Sequence, residues 1–267
     1  MIKVLKRLFV SIIGEFPINI HRMMFTGSSF KAGLIDRLSF DQFVANSMSR
    51  QLKKRDDVGK ISAVIRVKNG SEYIEASVLS IAMLATEIVI VDNNSTDETL
   101  AIANKLKEQL DGVCEVNIYS YGNKLEIAGT GYLDKVKNNP PGSLADFYNY
   151  SFNLAKCEYV MKWDAHAIML VNGVNSIQKL LKKGPDSITF RGLEFYGKRM
   201  DYEMRIYKQE LGLTYYDDEL FEMIDFKNKP SSSISRSYIK RPAYLHLKRL
   251  SYAKFMLFSS VIDEKYK

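Results

Sequence analysis

The spacing of hydrophobic residues divides the middle of the chain into short strands separated by helices. Ile61–Val67 and Glu87–Val91 are compact β-branched runs of the kind found in buried strands, and Glu72–Leu84 between them has helical spacing. Cys114–Tyr119 and Glu158–Trp163 predict two further strands. Strands that alternate with helices at this spacing indicate a parallel, right-handed α/β sheet.

The connecting segments predict two more helices and a long loop. Asp97–Leu110 is helical, with Ser95 or Thr96 in position to cap it, and Leu144–Ala155 is helical as well. Residues 120–142 contain four glycines and a Pro-Pro pair, so we expect a loop with little structure of its own. A loop of this length is often functional, for example as a lid.

Composition is that of a globular protein with one large α/β domain. Of the 267 residues, 46% are hydrophobic and 26% charged, which excludes a disordered or fibrous chain. The polar run 47–59 separates a mostly helical, basic extension, 1–57, from the α/β domain, 58–245. A basic helical tail, 246–267, follows. The two cysteines form no metal spacing or disulfide framework and indicate a reducing compartment.

Charge is unevenly distributed along the chain. Residues 1–57 carry ten Lys and Arg against five Asp and Glu, and 227–267 carry ten against two, around a middle of net charge −6. No zinc finger, RNP motif or basic zipper accompanies the basic ends, so nucleic acid is not the expected partner. The apolar run Leu8–Ile13 is too short to span a bilayer, and no small-residue cleavage site follows it. We expect a cytoplasmic protein whose N-terminal helix either packs on the domain or lies on an anionic membrane surface at its cytoplasmic face.

Polar residues follow three of the predicted strands. They are Lys68-Asn69, Asp92-Asn93 and Asp164-Ala165-His166. The carboxyl ends of parallel strands meet at one edge of a sheet, where ligands bind in such folds. Asp164 and His166 can face one cation if the turn curls both inward, and a carboxylate with an imidazole suits Mn²⁺ better than Mg²⁺. The alternative is a capping aspartate and a surface histidine.

Three blocks in this order resemble a known enzyme family. ISAVIRVKNGSEYI at 61–74, EIVIVDNNSTDET at 87–99 and LADFYNYSFNLAKCEYVMKWDAH at 144–166 resemble the first half of family 2 glycosyltransferases, and the resemblance continues loosely to about residue 225. It implies an α/β GT-A-like fold, with a mostly parallel central sheet flanked by helices and a helical N-terminal extension. It also implies a nucleotide-binding half, 58–170, and an acceptor-side half, 171–245.

The resemblance implies roles for residues at the strand ends. Asp92 and Asn93 match the acidic pair that contacts base and ribose, with Asn93 in place of the family's frequent second Asp. Arg66, Val67 and Asn69 lie where the nucleoside packs, although Val67 is equally suited to the core.

Asp164 matches the first Asp of the D-x-D motif, which holds metal and diphosphate, and His166 replaces the second. His246 is the candidate for the C-terminal histidine that such enzymes often bring to the metal; the alternative is a histidine of the core or surface.

An inverting member of this family needs a carboxylate to accept the proton of the acceptor hydroxyl. The strand-like Tyr202–Lys208 is followed by a cluster of acids, and we expect Glu222 and Glu219 on one face of a helix that Asp217 or Asp218 caps. Glu222 ranks first as base, before Glu219 and Asp218, because Leu220-Phe221-Glu222 resembles the stretch that carries the acid in several relatives.

The function that follows is sugar transfer. An inverting enzyme would move a sugar from a nucleotide-diphosphate donor to a glycan or lipid-linked acceptor, in surface polysaccharide or lipopolysaccharide synthesis. One alternative is a sugar-nucleotide nucleotidyltransferase, although its Gly-rich loop is represented here by one glycine after the first strand. A second alternative is a non-catalytic relative that binds nucleotide or glycan, since His166 departs from the metal motif.

Overall fold

The central sheet has seven strands and a parallel majority. The computed structural model describes residues 59–194 and 199–247, so the predicted N-terminal helical extension, its membrane contact and most of the C-terminal tail lie outside the described residues. In sheet order the strands are β11 (Arg236–Tyr238), β6 (Ser187–Phe190), β8 (Glu203–Lys208), β4 (Tyr159–Asp164), β1 (Ile61–Val67), β2 (Glu87–Asp92) and β3 (Glu115–Ser120). All neighbours are parallel except β8, which is antiparallel to both β4 and β6.

Helices cover both faces of this sheet. They are α1 (Ile74–Ile81), α2 (Thr99–Gln109), α3 (Tyr132–Asn138), α4 (Leu144–Asn153) and α5 (Val171–Leu181). Ile65 of β1 belongs to the apolar cluster that contains α1 and α5, while Val64 belongs to the opposite cluster with Phe147 of α4. Successive residues of a strand point to opposite faces, so burial on both sides explains the continuous apolar runs of the sequence.

Two smaller sheets complete the second half. In one, β12 (Tyr244–His246) lies between β5 (Ala167–Met169) and β7 (Gly192–Glu194), antiparallel to the first and parallel to the second. The other is a hairpin of β9 (Leu213–Asp217) and β10 (Glu222–Phe226). Short 3₁₀ turns lie at Pro140–Gly142, Gln209–Leu211 and Ser231–Ser233.

The structure confirms the predicted α/β class and its mostly parallel sheet. Four predicted strands and all three predicted helices of the first half are present, with ends shifted by a few residues and β1 at the predicted bounds. No helix among the described residues is long and apolar enough to cross a membrane.

Four local predictions are wrong. The segment 120–142 is not structureless, since it contains α3 and a 3₁₀ turn. Neither Ser95 nor Thr96 caps α2, whose first residue Thr99 instead bonds to Asp97. The acidic cluster forms a hairpin and not a helix, because β9 and β10 pair across it. His246 belongs to strand β12 and not to a helical tail.

Candidate active site

The carboxyl ends of β1, β2 and β4 lie side by side. Arg66 pairs in register with Asp164, and Val67 with Asp92, so the three polar segments that follow these strands converge at one edge. The convergence expected from a parallel sheet is therefore present.

Hydrogen bonds join the first two of these segments. The amide of Asn69 donates to Ser95 Oγ at 2.8 Å, and Asn69 Oδ1 accepts from the amide of Thr96 at 2.8 Å. Asn69 has φ of +52°, a left-handed conformation that asparagine tolerates better than most residues. The side chain predicted to contact the nucleoside therefore also joins the two loops, with its carbonyl oxygen already in use.

Asp92 and Asn93 are both 2% exposed at the end of β2. Asp92 Oδ2 accepts from the amide of Ser95 at 3.0 Å, while the buried Oδ1 has no partner among the described residues. An unpaired buried acceptor is costly, so a ligand donor would stabilise it. The side-chain amide of Asn93 donates to the carbonyls of Tyr121 and Asn123 at 2.8 and 2.7 Å, which leaves its Oδ1 for a ligand.

Val67 lies beneath the loop that follows β1. It is 5% exposed, and a Cβ added at Gly70 would lie 2.5 Å from its Cγ2. Glycine is needed at position 70 for this close approach, and the packing favours the core role of Val67.

Three potential metal ligands meet beside β4. The donor atoms of Asp164, His166 and His246 lie within 4.8 Å of one another, and the two histidine Nε2 atoms are 2.9 Å apart. Two nitrogen ligands at about 2.1 Å from one ion and about 90° apart would be about 3 Å from each other. Two imidazoles and one carboxylate thus fit a divalent transition metal, in position and in chemistry.

Glu194 fixes the orientation of His246. Its Oε2 lies 3.1 Å from His246 Nδ1, and the two residues pair in register on β7 and β12. A carboxylate at Nδ1 favours the tautomer that carries its proton there, so Nε2 presents a lone pair. Sequence patterns did not identify Glu194, because its role arises from pairing between strands distant in sequence.

Arg205 of β8 holds Asp164 from the neighbouring strand. Its Nη1 lies 2.7 Å from Asp164 Oδ2, and its Nη2 donates to the Tyr244 hydroxyl at 2.8 Å and lies 2.7 Å from Glu203 Oε2. Burial acts to raise the pKa of Asp164, but Arg205, followed by His166, holds it well below the usual range. The sequence analysis did not identify Arg205, although a cation inside the apolar strand MRIYK is itself a signal of a buried ion pair.

Arg66 packs against the aromatic rings of Tyr148 and Phe152. Its guanidinium carbon is 3.6 Å from the centroid of the Tyr148 ring and 4.9 Å from that of Phe152, and its buried Nη1 has no partner among the described residues. Burial raises the pKa of Tyr148 to about 12 against the effect of Arg66, and Glu222 contributes by its charge and by a hydrogen bond. A protonated Tyr148 therefore lies between Arg66 and the carboxylate of Glu222.

The other acids of the cluster have different surroundings. Asp217 Oδ2 accepts from Ser143 Oγ at 2.6 Å, and its Oδ1 accepts from the Tyr132 hydroxyl and from the amide of Ala145 at 3.1 Å. Asp217 therefore does not cap a helix of the acidic cluster; it accepts from the first turn of α4, whose N-cap is Ser143. Asp218 and Glu219 are exposed in the hairpin turn.

Sequence comparison finds a family match within the first half of the chain. Residues 62–117 match the family model for glycosyl transferase family 2. An uncharacterized glycosyltransferase of Rickettsia conorii is 45% identical over 47 residues, or 18% of this chain. The match spans about a sixth, 17%, of that curated relative.

Two solved structures are similar in shape to the chain. TarS of S. aureus has 14% identity and a TM-score of 0.48, with 78% of this chain and 68% of TarS covered. The mannosyltransferase PcManGT of Pyrobaculum calidifontis, in complex with GDP-Man and Mn²⁺, has 18% identity and a TM-score of 0.39, with 65% and 53% covered. The resemblance expected from the motifs is confirmed over residues 62–117, which match the model for glycosyl transferase family 2.

Proposed function

We propose that the chain is a metal-dependent glycosyltransferase that uses a nucleotide-diphosphate sugar. The observation that carries the proposal is the cluster of Asp164, His166 and His246 at the carboxyl edge of the sheet. It lies beside the strand ends of the segment that matches family 2. The convergence of His246 with His166 favours a metal site over the alternative of a non-catalytic relative.

The nucleotide would lie over the ends of β1 and β2. Asp92 Oδ1 is the buried acceptor without a partner there, and it suits an N–H or O–H of the base or ribose. Arg66, predicted to pack against the nucleoside, has a buried Nη1 without a partner among the described residues and suits an oxygen of the diphosphate or acceptor better.

A divalent metal held by Asp164, His166 and His246 would neutralise the diphosphate as it leaves. The nitrogen-rich donor set favours Mn²⁺ over Mg²⁺, which prefers oxygen ligands. Arg205 keeps Asp164 ionised and fixes one of its oxygens, so the other can face the ion. Glu194 keeps Nε2 of His246 available as a ligand.

Glu222 is the base in this proposal, and the reaction inverts the anomeric centre. Its carboxylate removes the proton of the acceptor hydroxyl, whose oxygen forms a bond to the anomeric carbon. The bond from that carbon to the diphosphate oxygen breaks, and its electron pair leaves with the nucleoside diphosphate. Tyr148, which stays protonated, orients Glu222 through a hydrogen bond.

The acceptor in the proposal is a glycan or a lipid-linked glycan of surface polysaccharide or lipopolysaccharide synthesis. The protein would work in the cytoplasm, at the cytoplasmic face of the membrane. The basic ends of the chain support contact with an anionic lipid surface.

Ligand-dependent stabilisation tests this function. A panel of nucleoside diphosphates and their sugars is screened by thermal unfolding with Mn²⁺, with Mg²⁺ and with EDTA. A ligand at 100 times its dissociation constant stabilises the fold by about 2.7 kcal/mol. We expect one nucleotide to do so in the presence of Mn²⁺ and to lose most of the effect in EDTA.

His166→Ala is the matched variant for the metal. It is preferable to Asp164→Ala, which would remove one of the two carboxylates that pair with the buried Arg205. We expect His166→Ala to remain folded and to lose the effect of Mn²⁺. Release of nucleoside diphosphate that depends on an acceptor would establish transfer, whereas full turnover in EDTA after dialysis would exclude a metal-dependent enzyme.

A further inference from the structure

A group of aromatic and basic residues lies further along the same edge of the sheet. We call it the Tyr202 surface and define it as Arg191, Tyr202, Tyr238 and Lys240. Strand β8 is antiparallel to both β4 and β6, and β11 is parallel to β6, so β6 and β11 run in the direction of β4. Their carboxyl ends and the beginning of β8 therefore lie on the edge that holds Asp164.

Contacts among the four residues fix the surface. The guanidinium of Arg191 lies 4.5 Å from the centroid of the Tyr202 ring, and the rings of Tyr202 and Tyr238 are 6.0 Å apart and nearly perpendicular. The Tyr202 hydroxyl donates to the Lys240 carbonyl at 3.2 Å, and Arg191 Nη2 reaches the same oxygen at 3.5 Å. The rings are thus held in place without a ligand, which lowers the entropy lost on binding.

The two aromatic rings of this surface are exposed to solvent. Tyr202 and Tyr238 are 43% and 52% exposed, although both are large rings in direct contact. The buried Nε of Arg191 has no hydrogen-bond partner among the described residues, which is costly for a charged group. Ring faces next to polar donors suit saccharides, whose C–H faces stack on aromatic rings while their hydroxyls form hydrogen bonds.

Charge selects the kind of saccharide. Exposed Arg199, Lys240 and Arg241 adjoin the rings in sequence. The acids of the same stretch are Asp201 and Glu203, and Glu203 is paired with Lys162 and Arg205. The excess of positive charge raises the local concentration of anions and disfavours cationic ligands. A glycan with carboxylate or phosphate groups fits this surface better than a neutral one.

The surface is connected directly to the metal cluster. Arg191 is followed by β7, whose last residue, Glu194, contacts His246. Three residues of strand span about 10 Å. An extended saccharide on the Tyr202 surface can therefore reach the vicinity of Glu194 and His246.

We propose that the Tyr202 surface is a subsite for an anionic saccharide, and that it holds the acceptor of the transfer reaction. The acceptor role rests on the proposed function, whereas the binding itself does not. The rings of Tyr202 and Tyr238 would stack on the saccharide, and Arg191 and Lys240 would bind its negative charges. The ends of β1 and β2 stay free for the nucleotide of the donor.

Binding of defined tetrasaccharides tests the subsite. Tetragalacturonate and neutral maltotetraose are titrated into the full chain by calorimetry at low salt, without nucleotide. We expect tetragalacturonate to bind at least about tenfold tighter and its affinity to fall as salt rises. Equal affinities, or no binding of the anionic saccharide, would overturn the proposal.

Variants separate the rings from the charge. Tyr238→Ala should weaken tetragalacturonate about tenfold through lost stacking, and Lys240→Glu should weaken it similarly while leaving the Lys240 carbonyl in place. Tyr150→Ala and Lys105→Glu, exposed positions on other elements, are the controls and should bind as the wild type does. Unchanged binding in Tyr238→Ala would overturn the proposal.

Failure of this inference is distinct from failure of the proposed function. If Mn²⁺-dependent nucleotide binding is present and tetragalacturonate does not bind, the subsite is wrong and the donor site stands. If tetragalacturonate binds through Tyr238 and no nucleotide stabilises the fold, the subsite stands and the transferase is wrong.

Discussion

Glu222 differs from the neighbouring acids in what surrounds it. It is half-buried next to Tyr148, with Arg66 behind the ring, whereas Asp218 and Glu219 face solvent. Glu222→Gln keeps the shape and removes the proton acceptor. We expect kcat to fall at least about 10²-fold while donor binding stays near the wild-type value, measured by steady-state kinetics and nucleotide titration.

Glu219→Gln and Asp218→Asn are the controls for Glu222→Gln. Both exposed residues should tolerate the change with little loss of turnover. Wild-type turnover in Glu222→Gln would contradict the assignment, and a loss confined to Glu219→Gln would move the base into the hairpin turn.

Glu194 is expected to act through His246 and not by touching substrate. Glu194→Gln weakens control of the His246 tautomer, so the affinity for Mn²⁺ should fall roughly 10–100-fold. Titration of Mn²⁺ against protein stability gives the affinity. Excess Mn²⁺ should restore turnover, and Glu98→Gln, at the exposed residue before α2, should bind Mn²⁺ as the wild type does. A turnover loss that Mn²⁺ does not restore would rule out this positioning role.

Some residues of the candidate site can be predicted from their neighbours in the sequence, whereas others depend on contacts between distant segments. Asp92, Asp164 and His166 follow apolar strands directly, so the sequence pattern was enough to place them at the edge of the sheet. Glu194 and Arg205 were missed because they act through β7–β12 and β4–β8 pairing, which joins segments far apart in the chain. Single-sequence periodicity carries no information about such partners.

The hairpin β9–β10 is tied to α4 and α3 through Asp217. Its carboxylate receives hydrogen bonds from Ser143, Ala145 and Tyr132. Asp217→Ala leaves these donors unpaired, so the free energy of unfolding should fall by about 1–3 kcal/mol. Urea denaturation measures the loss. The exposed neighbour Asp218→Ala should stay within about 0.5 kcal/mol of the wild type, and an equal loss in both would contradict the tether.

The loops after β1 and β2 are joined by Asp97. Slight burial acts to raise its pKa, but hydrogen bonds from Thr99 and Ser71 lower the pKa of Asp97 to about 2. A pKa below the unfolded value of about 3.9 adds stability that is present above that pH and is lost as pH falls toward 2.

We therefore expect Asp97→Asn to be less stable than the wild type at pH 6, by an amount that shrinks between pH 4 and pH 2. Urea denaturation across this range gives both values. A constant difference at every pH would show that the carboxylate charge is not what joins the loops.

Elements differ in how strongly the sequence specified them. β1 and β2 are apolar on both faces and bounded by polar turns, and their prediction was nearly correct. The hairpin was read as a helix because Glu219 and Glu222 are three residues apart and no Gly, Asn or Pro marks the turn. Burial along β10 alternates between half-buried and exposed residues, so neither face is fully buried.

For the chain as a whole, the basic ends support a membrane prediction. Binding to vesicles that contain anionic lipid should weaken as salt rises, because screening shortens the reach of the charges. Co-sedimentation at two salt concentrations measures this. Equal partition to neutral and anionic vesicles, or none to either, would contradict it.

The α/β class followed from alternating elements, whereas the order of the sheet did not. Nothing local in the sequence indicates that β8 lies between β4 and β6 and runs against them. The position of β8 brings Arg205 to Asp164 and brings Tyr202 to the same edge of the sheet. These parts of the candidate site therefore depend on the order of strands that are distant in sequence.

The position of His246 has a consequence for the order in which the site is completed during synthesis. Asp164 and His166 are made early, and His246, the third proposed ligand, follows His166 by 80 residues. At about 5–20 residues per second the ribosome needs roughly 4–16 s to add them. During that interval the nascent chain has β1, β2 and β4 and two of the three proposed ligands. If the proposed metal site is correct, its full affinity for metal would arrive only when β12 inserts between β5 and β7.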